Sequence, residues 1–229
     1  MTTPFDSVLD KEGGTVVPEA IRSHWALEAP QALRWTLNPT GTVCVEPLKD
    51  RKLRDSLPSR MKSQWQVATA AEAFAAAQFS RCGWDVSVQY GANQPEYDLV
   101  AVDGDRMLKV SVKGSKDGSW GLTQSHLKNA DYYAAIDAWL SKHSKKTLFC
   151  LVQFKKVAAF ELPRLYLATP SEIAAQLRAT CKGRGDTILY EHHAWTSRAR
   201  GAGTIEAIPP HWAFTDERLE QLAAELAQG

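Results

Sequence analysis

Apolar positions change their period along this chain. Between residues 6 and 48 they come in short runs: the pair Val16-Val17, then 33–37, then 42–45. Asn38-Pro39-Thr40-Gly41 lies between the last two runs and consists of residues that favour a reversal, which predicts a hairpin. Pro18 opens a short predicted helix over 18–22. From residue 64 the texture changes. Seven of the ten residues in 68–77 are Ala, which predicts a helix able to lie close against a sheet, and Gly83 ends it. Strand-like runs follow at 85–90, 97–102 and 107–113, with Asp103-Gly104 as a hairpin turn between the last two. A helix over 124–142, a buried strand over 147–154 and a further strand over 157–162 come next. Pro170-Ser171-Glu172 opens a helix to about residue 179, and Leu219, Leu222 and Leu226 mark a closing helix over 215–228. This order predicts an α/β or α+β domain of about 165 residues, preceded by a small β unit over 1–48 and a linker over 49–63.

Composition narrows the class. At 229 residues, 44% hydrophobic and 23% charged, the chain is an ordinary globular one, and disorder is excluded. No apolar run approaches the roughly 18–20 residues that span a bilayer, so no membrane role is expected. The start, MTTPFDSVLDKEGG, shows no secretion signal, and a cytoplasmic protein is expected. Cys44, Cys82, Cys150 and Cys181 then read as reduced thiols. The net charge of +1 conceals an asymmetry. Residues 1–48 hold three basic and six acidic residues, whereas 49–62 hold six basic and two acidic ones. Phosphate contact is therefore expected on the strap that carries Arg51, Lys52 and Arg54, and on lysines farther along.

The candidate chemistry lies on the run 108–113. In a strand, Leu108, Val110 and Val112 take one face, and Lys109, Ser111 and Lys113 the other. A lysine inside such a run is costly unless something polar faces it. With a loop over 103–106, Val102 pairs with Met107 and Asp98 falls opposite Ser111; a tighter turn puts Lys109 there instead. Either register gathers Asp98, Ser111 and Lys113 on one face, and Glu72 on the Ala-rich helix leans over the same edge. A carboxylate pair that holds Mg²⁺ (or Mn²⁺) beside a lysine suits phosphodiester hydrolysis. The metal polarises the phosphate, and the lysine orients the attacking water and offsets developing charge. In the loop GSKDGSWG over 114–121, Ser115 and Lys116 are placed to approach a phosphate, and Trp120 to stack on a base. Lys109 joins this set as a nucleic-acid contact. His192 and His193 are adjacent and would face opposite sides of a strand, so they do not make one metal site.

Glu72 on a helix, Asp98 after Glu96-Tyr97, and Ser111-Val112-Lys113-Gly114-Ser115 resemble the PD-(D/E)XK, restriction-endonuclease-like superfamily. The resemblance implies an α/β core with a mixed sheet flanked by helices. It makes Asp98 the metal-binding acid, Lys113 the catalytic lysine and Glu72 the auxiliary helix acid. Ser111 stands where the family carries its second acid, and Glu96 and Asp117 are candidates to replace it. Asp10, Gly13, Val16, Val17, Pro18, Ile21 and Arg22, then Leu33, Gly41 and Val43, resemble the swapped-hairpin domain of AbrB/MazE-type regulators. That resemblance implies a homodimer with interlaced hairpins. Gly14 stands where the family tends to have Arg, and the segment is acidic, so dimerisation rather than DNA reading is expected of it. Together these readings imply a Mg²⁺-dependent DNA endonuclease of restriction or defence type. The alternative is a catalytically inactive DNA-binding regulator or antitoxin-like protein that keeps the nuclease fold.

Overall fold

The computed structural model describes residues 19–24, 33–37, 43–47, 61, 63–89, 96–158 and 160–228. The chain divides into two units, Met1–Leu57 and Pro58–Gly229. In the first unit, a short helix α1 (Glu19–His24) precedes the antiparallel hairpin β1 (Leu33–Leu37) and β2 (Val43–Pro47), in which Trp35 pairs with Val45. The Val16-Val17 run and the strap residues Arg51, Lys52 and Arg54 lie outside the described residues.

The second unit opens with helix α2 (Gln64–Arg81), capped by Ser63, whose hydroxyl accepts from the Gln66 amide at 3.2 Å. The Gln66 side chain in turn accepts from the Ser63 amide at 3.1 Å, so two otherwise orphaned donors are satisfied. Strands β3 (Asp85–Val88), β4 (Leu99–Asp103) and β5 (Arg106–Ser115) run antiparallel to their neighbours. A short strand β6 (Ser119–Gly121) and helix α3 (Tyr132–Leu140) lead to β7 (Thr147–Gln153), which pairs with β5 in parallel. Strand β8 (Arg164–Ala168) completes a five-stranded mixed sheet in the order β3-β4-β5-β7-β8. Helix α4 (Pro170–Gly183), strands β9 (Ile188–Tyr190), β10 (His192–Ala194) and β11 (Ile205–Ala207), and helix α5 (Asp216–Gln228) follow.

Both faces of the sheet are covered, so β7 is buried at all seven positions. Val67, Ala71, Ala75 and Phe79 of α2 and Leu219 and Leu222 of α5 pack on the face made by Leu108, Val110 and Val112. Ile136 and Trp139 of α3 and Ile173, Ala174 and Leu177 of α4 pack with Phe149 and Leu151 on the other. The buried guanidinium of Arg218 joins the layers, donating to Glu172 Oε1 at 2.5 Å and to the Leu167 carbonyl at 3.4 Å. Among the described residues no helix is long and apolar enough to cross a membrane.

Two sequence expectations are corrected. The helix expected over 124–142 is only Tyr132–Leu140, preceded by a 3-10 turn at Gln124–His126. Asn129 and Ala130 adopt left-handed backbone, and Asp131 starts a fresh helix by accepting from the Ala134 amide at 2.9 Å. The strand expected over 157–162 instead starts at Arg164, just after Pro163, which has no N–H to give a ladder.

The layer spacing depends on Gly114. A methyl group there would meet the Ala71 methyl and the Val67 carbonyl oxygen at 2.8 Å each. Gly114→Ala should cost about 1–3 kcal/mol, the range for an overpacked core site. Thermal unfolding reads this as a midpoint lowered by several degrees, whereas Gly83→Ala, where nothing lies within 4 Å, should show only the smaller cost of its left-handed backbone.

Candidate active site

The site lies in a notch at the sheet edge. The β4–β5 register pairs Val102 with Met107 and Leu99 with Val110, so Asp98 falls opposite Ser111, the longer-loop register of the two. Strand β4 begins at Leu99, whereas β5 runs on to Ser115. Beyond this point the β5 backbone has lost its β4 partner, and a side chain takes over. Asp98 Oδ2 accepts the Val112 amide at 2.6 Å and lies 3.4 Å from the Ser111 hydroxyl, which donates to it. The Asp98 amide donates to the Val110 carbonyl at 2.8 Å, which continues the ladder by one rung. The carboxylate is thus held from its own backbone and from the facing strand.

Lys113 Nζ lies 3.8 Å from the same oxygen, with the lysine side chain 42% and the aspartate 19% exposed. Glu72 reaches the notch from α2, one residue beyond the tight contact of Ala71 with Gly114. Burial raises the Glu72 carboxyl above its ordinary value, Asp98 pushes it the same way, and Lys113 opposes both. These three side chains line one cleft of about 700 Å³, with Lys116 and Gln124 at its walls.

Other residues named from the sequence have different employment. Ser111 is 1% exposed, so it cannot touch a substrate; its hydroxyl braces Asp98. Ser115 is buried and bonds Asp117 Oδ1 at 3.0 Å inside the 115–119 turn, at the wall of the cleft. Trp120 is 3% exposed, its Nε1 donating to the Lys113 carbonyl at 2.8 Å and its ring edge-on to Tyr166, so it packs the core and cannot stack on a base. Lys116 reaches the Met61 carbonyl at 3.0 Å on the cleft wall. Lys109 is exposed, with its ammonium 5.3 Å from the centre of the Tyr97 ring. His193 stacks on Tyr190 with ring centres 4.4 Å apart, which is a packing role.

Both substitute acids are hydrogen-bonded, and of the two Asp117 lines the cleft. Burial tends to raise the Glu96 carboxyl, but the Thr147 hydroxyl at 2.6 Å and the Ser144 amide at 2.5 Å outweigh it and leave the pKa lowered. Asp117 is likewise lowered against burial, by Ser115 and Ser119. A residue not read from the sequence joins Glu96. His143 Nδ1 lies 3.3 Å from Glu96 Oε1, and the ring packs against Trp139 and Phe149. Burial lowers the pKa of His143 against the pull of Glu96, and Lys113 acts in the same direction as burial. A single histidine after a helix carries no pattern that would have marked it.

Among the described residues no group of three or more His, Cys, Asp or Glu side chains is arranged to hold a metal ion. The carboxylates lining the cleft are Asp98, Glu72 and Asp117; Asp117 is bonded through Oδ1 to Ser115 and Ser119, which leaves Asp98 and Glu72 as the candidate donor pair. Mg²⁺ commonly keeps several waters and takes one or two carboxylates plus substrate phosphate. Two mutually repelling carboxylates in one cleft fit that mode, with the phosphate supplying the remaining oxygens.

No family model and no curated protein matches the chain. Among solved structures, it is similar to a bacterial homing endonuclease, I-Ssp6803I, at 14% identity and a TM-score of 0.41, over 72% of this chain and 97% of that one.

Because folding favours the neutral form of Glu72, its contribution to stability is greatest below the ordinary glutamate value of 4.5 and is lost as pH rises through the raised folded value. Glu72→Gln should therefore raise the thermal midpoint at neutral pH in EDTA and give little gain near pH 4. Melting both proteins across this range checks the sign.

Proposed function

We propose that this chain is a divalent-metal-dependent DNA endonuclease with a PD-(D/E)XK-type site, working as a homodimer. The observation that carries the reading is the convergence of Asp98, Glu72 and Lys113 on one open cleft at the end of a strand pair. Asp98 and Glu72 would hold Mg²⁺ or Mn²⁺, which supplies Lewis-acid activation of the phosphate and a more acidic attacking water. The chain's own contribution is placement and charge. Asp98 is fixed by Val112 and Ser111, so it presents its remaining oxygen without reorganisation. Lys113, ion-paired yet open to solvent, would orient a water and offset negative charge at the phosphate. Lys116 on the wall and Lys109 beyond it would meet flanking phosphates. The homodimer rests on the swapped-hairpin resemblance of residues 7–48, and two copies of the site would cut the two strands.

One observation favours a second reading, that of a DNA-binding regulator with an inactive nuclease fold. Position 111 carries a buried serine, Glu96 is bonded to Thr147 and Asp117 to Ser115.

Incubating supercoiled plasmid with Mg²⁺ or Mn²⁺ separates the two. The wild type should nick, and Lys113→Ala and Asp98→Ala should lose at least about 10²-fold in rate. If the wild type nicks no faster than either variant, the enzyme reading fails and the regulator takes its place. Activity that appears only in Ser111→Asp would mark the site as a decayed one.

A further inference from the structure

A second cleft, of about 580 Å³, lies away from the carboxylates and has no role in the reading above. It is lined by Asn129, Ala130, Asp131, Tyr132, Tyr133, Arg184 and Arg200. Two of these are arginines, Arg184 and Arg200. Arg184 follows α4, and its guanidinium carbon sits 4.6 Å above the Tyr132 ring centre. Its Nε donates to the Gly185 carbonyl at 3.3 Å, so the terminal nitrogens are the donors left to a ligand. Its nearest acid, Asp186, is 4.0 Å away and spends Oδ1 on the Thr187 amide. Arg200 is exposed, and among the described residues it has no hydrogen-bond or ion-pair partner.

Like charges brought to one concavity repel, and nothing in the cleft compensates both. Asp131, the one acid in its wall, accepts from the Ala134 amide as the cap of α3. Tyr133 is 44% exposed and turns its hydroxyl inward to the Gly183 carbonyl at 2.9 Å, so its ring remains a surface feature. The cleft therefore offers an anion the Arg200 guanidinium, the terminal nitrogens of Arg184 and the exposed Tyr133 ring. Arginine forks match the paired oxygens of a phosphodiester, and tyrosine rings suit the adjoining sugar or base.

The cleft is also linked to the active site by a short stretch of chain. The active-site cleft is walled by Gly121, Leu122, Gln124 and Ile188. From there residues 125–129 lead to the second cleft and carry His126 and Lys128, and residues 184–187 run back beside them. The amides of Leu122 and Thr123 donate to the Thr187 carbonyl at 3.1 and 3.3 Å, which fastens the two segments together.

We propose that the Arg184–Arg200 cleft is a second nucleic-acid contact, binding a backbone phosphate of the DNA whose scissile phosphate lies at Asp98 and Lys113. The identity of the polymer rests on the nuclease reading; the anion site itself rests on the two arginines. Such a contact is blind to sequence, since it reads only backbone. It holds the duplex in place over the carboxylate pair and contributes to affinity rather than to chemistry.

The test measures binding without cleavage. A labelled DNA duplex is titrated with the full chain carrying Lys113→Ala, in EDTA, over a series of salt concentrations. Arg184→Gln and Arg200→Gln, each added to that background, should weaken binding several-fold and lower the slope of log affinity against log salt by about one each, irrespective of duplex sequence. Arg81→Gln removes the same charge from the end of α2 and should leave the slope unchanged. Among the described residues Arg200 has no hydrogen-bond or ion-pair partner, so its variant answers even if Arg184→Gln disturbs the fold. Slopes in both variants equal to that of Arg81→Gln overturn the proposal while leaving the nuclease reading intact. Arginine-dependent binding in a protein whose wild type never nicks plasmid sustains the cleft and overturns the nuclease reading. No DNA binding at any salt overturns both.

Discussion

The contact between helix α2 and strand β5 at Gly114 is the constraint on which the site depends. Val67 and Ala71 approach the strand backbone so closely that a single methyl group would not fit. Ala is favoured across α2 because it combines helix propensity with minimal height above the sheet. That proximity places Glu72, the next residue, at the notch where β5 outruns β4. A bulkier helix would stand off and carry the carboxylate out of reach of Asp98. The sheet fixes Asp98 and Lys113 by register; only the helix contact adds Glu72.

Ending β4 early has a second consequence. It leaves the Val112 amide without a strand partner, and an unpaired backbone donor in a partly buried edge is costly. Asp98 satisfies that amide at 2.6 Å with one carboxylate oxygen. The same hydrogen bond that completes the backbone bookkeeping also fixes the direction of the acid. Ser111 and Lys113 converge on that oxygen from the opposite side-chain face of β5. Glu96, two residues earlier, holds the 144–147 turn through Ser144 and Thr147, so the chain on either side of Asp98 is tied down. The acids near the site thus divide: Asp98, Glu72 and Asp117 line the cleft, with Asp117 tied into the 115–119 turn, and Glu96 supports it from outside.

Much of this arrangement was legible in the sequence. Alternation along 108–113 and the Asp103-Gly104 turn narrowed the partner of Asp98 to Ser111 or Lys109, because strand periodicity and a short hairpin leave few registers, and the structure adopts the first. The Ala run and the leucine spacing of the last helix marked α2 and α5, which pack on one sheet face. What stayed hidden depends on tertiary context. Trp120 and Ser115 sit in a Gly-rich, polar stretch that reads as an exposed loop, yet Trp120 lies in β6, which pairs with β9 from far along the chain, and Ser115 ends β5 opposite Gln153, and both are buried. The break before α3 follows from left-handed Asn129 and Ala130, which composition does not signal. The Glu96–His143 pair joins segments remote in sequence, and Arg184 and Arg200 line one cleft, which no local pattern reports.

The central claim is that Asp98 and Glu72 together form a divalent-cation site once phosphate is present. Mn²⁺ can be titrated into Lys113→Ala protein bound to uncleaved DNA, with free ion followed by electron paramagnetic resonance. The account predicts that free-ion signal is lost on addition of this complex, and that Asp98→Asn or Glu72→Gln in the same background restores it. An equal free-ion signal in all three complexes would contradict it.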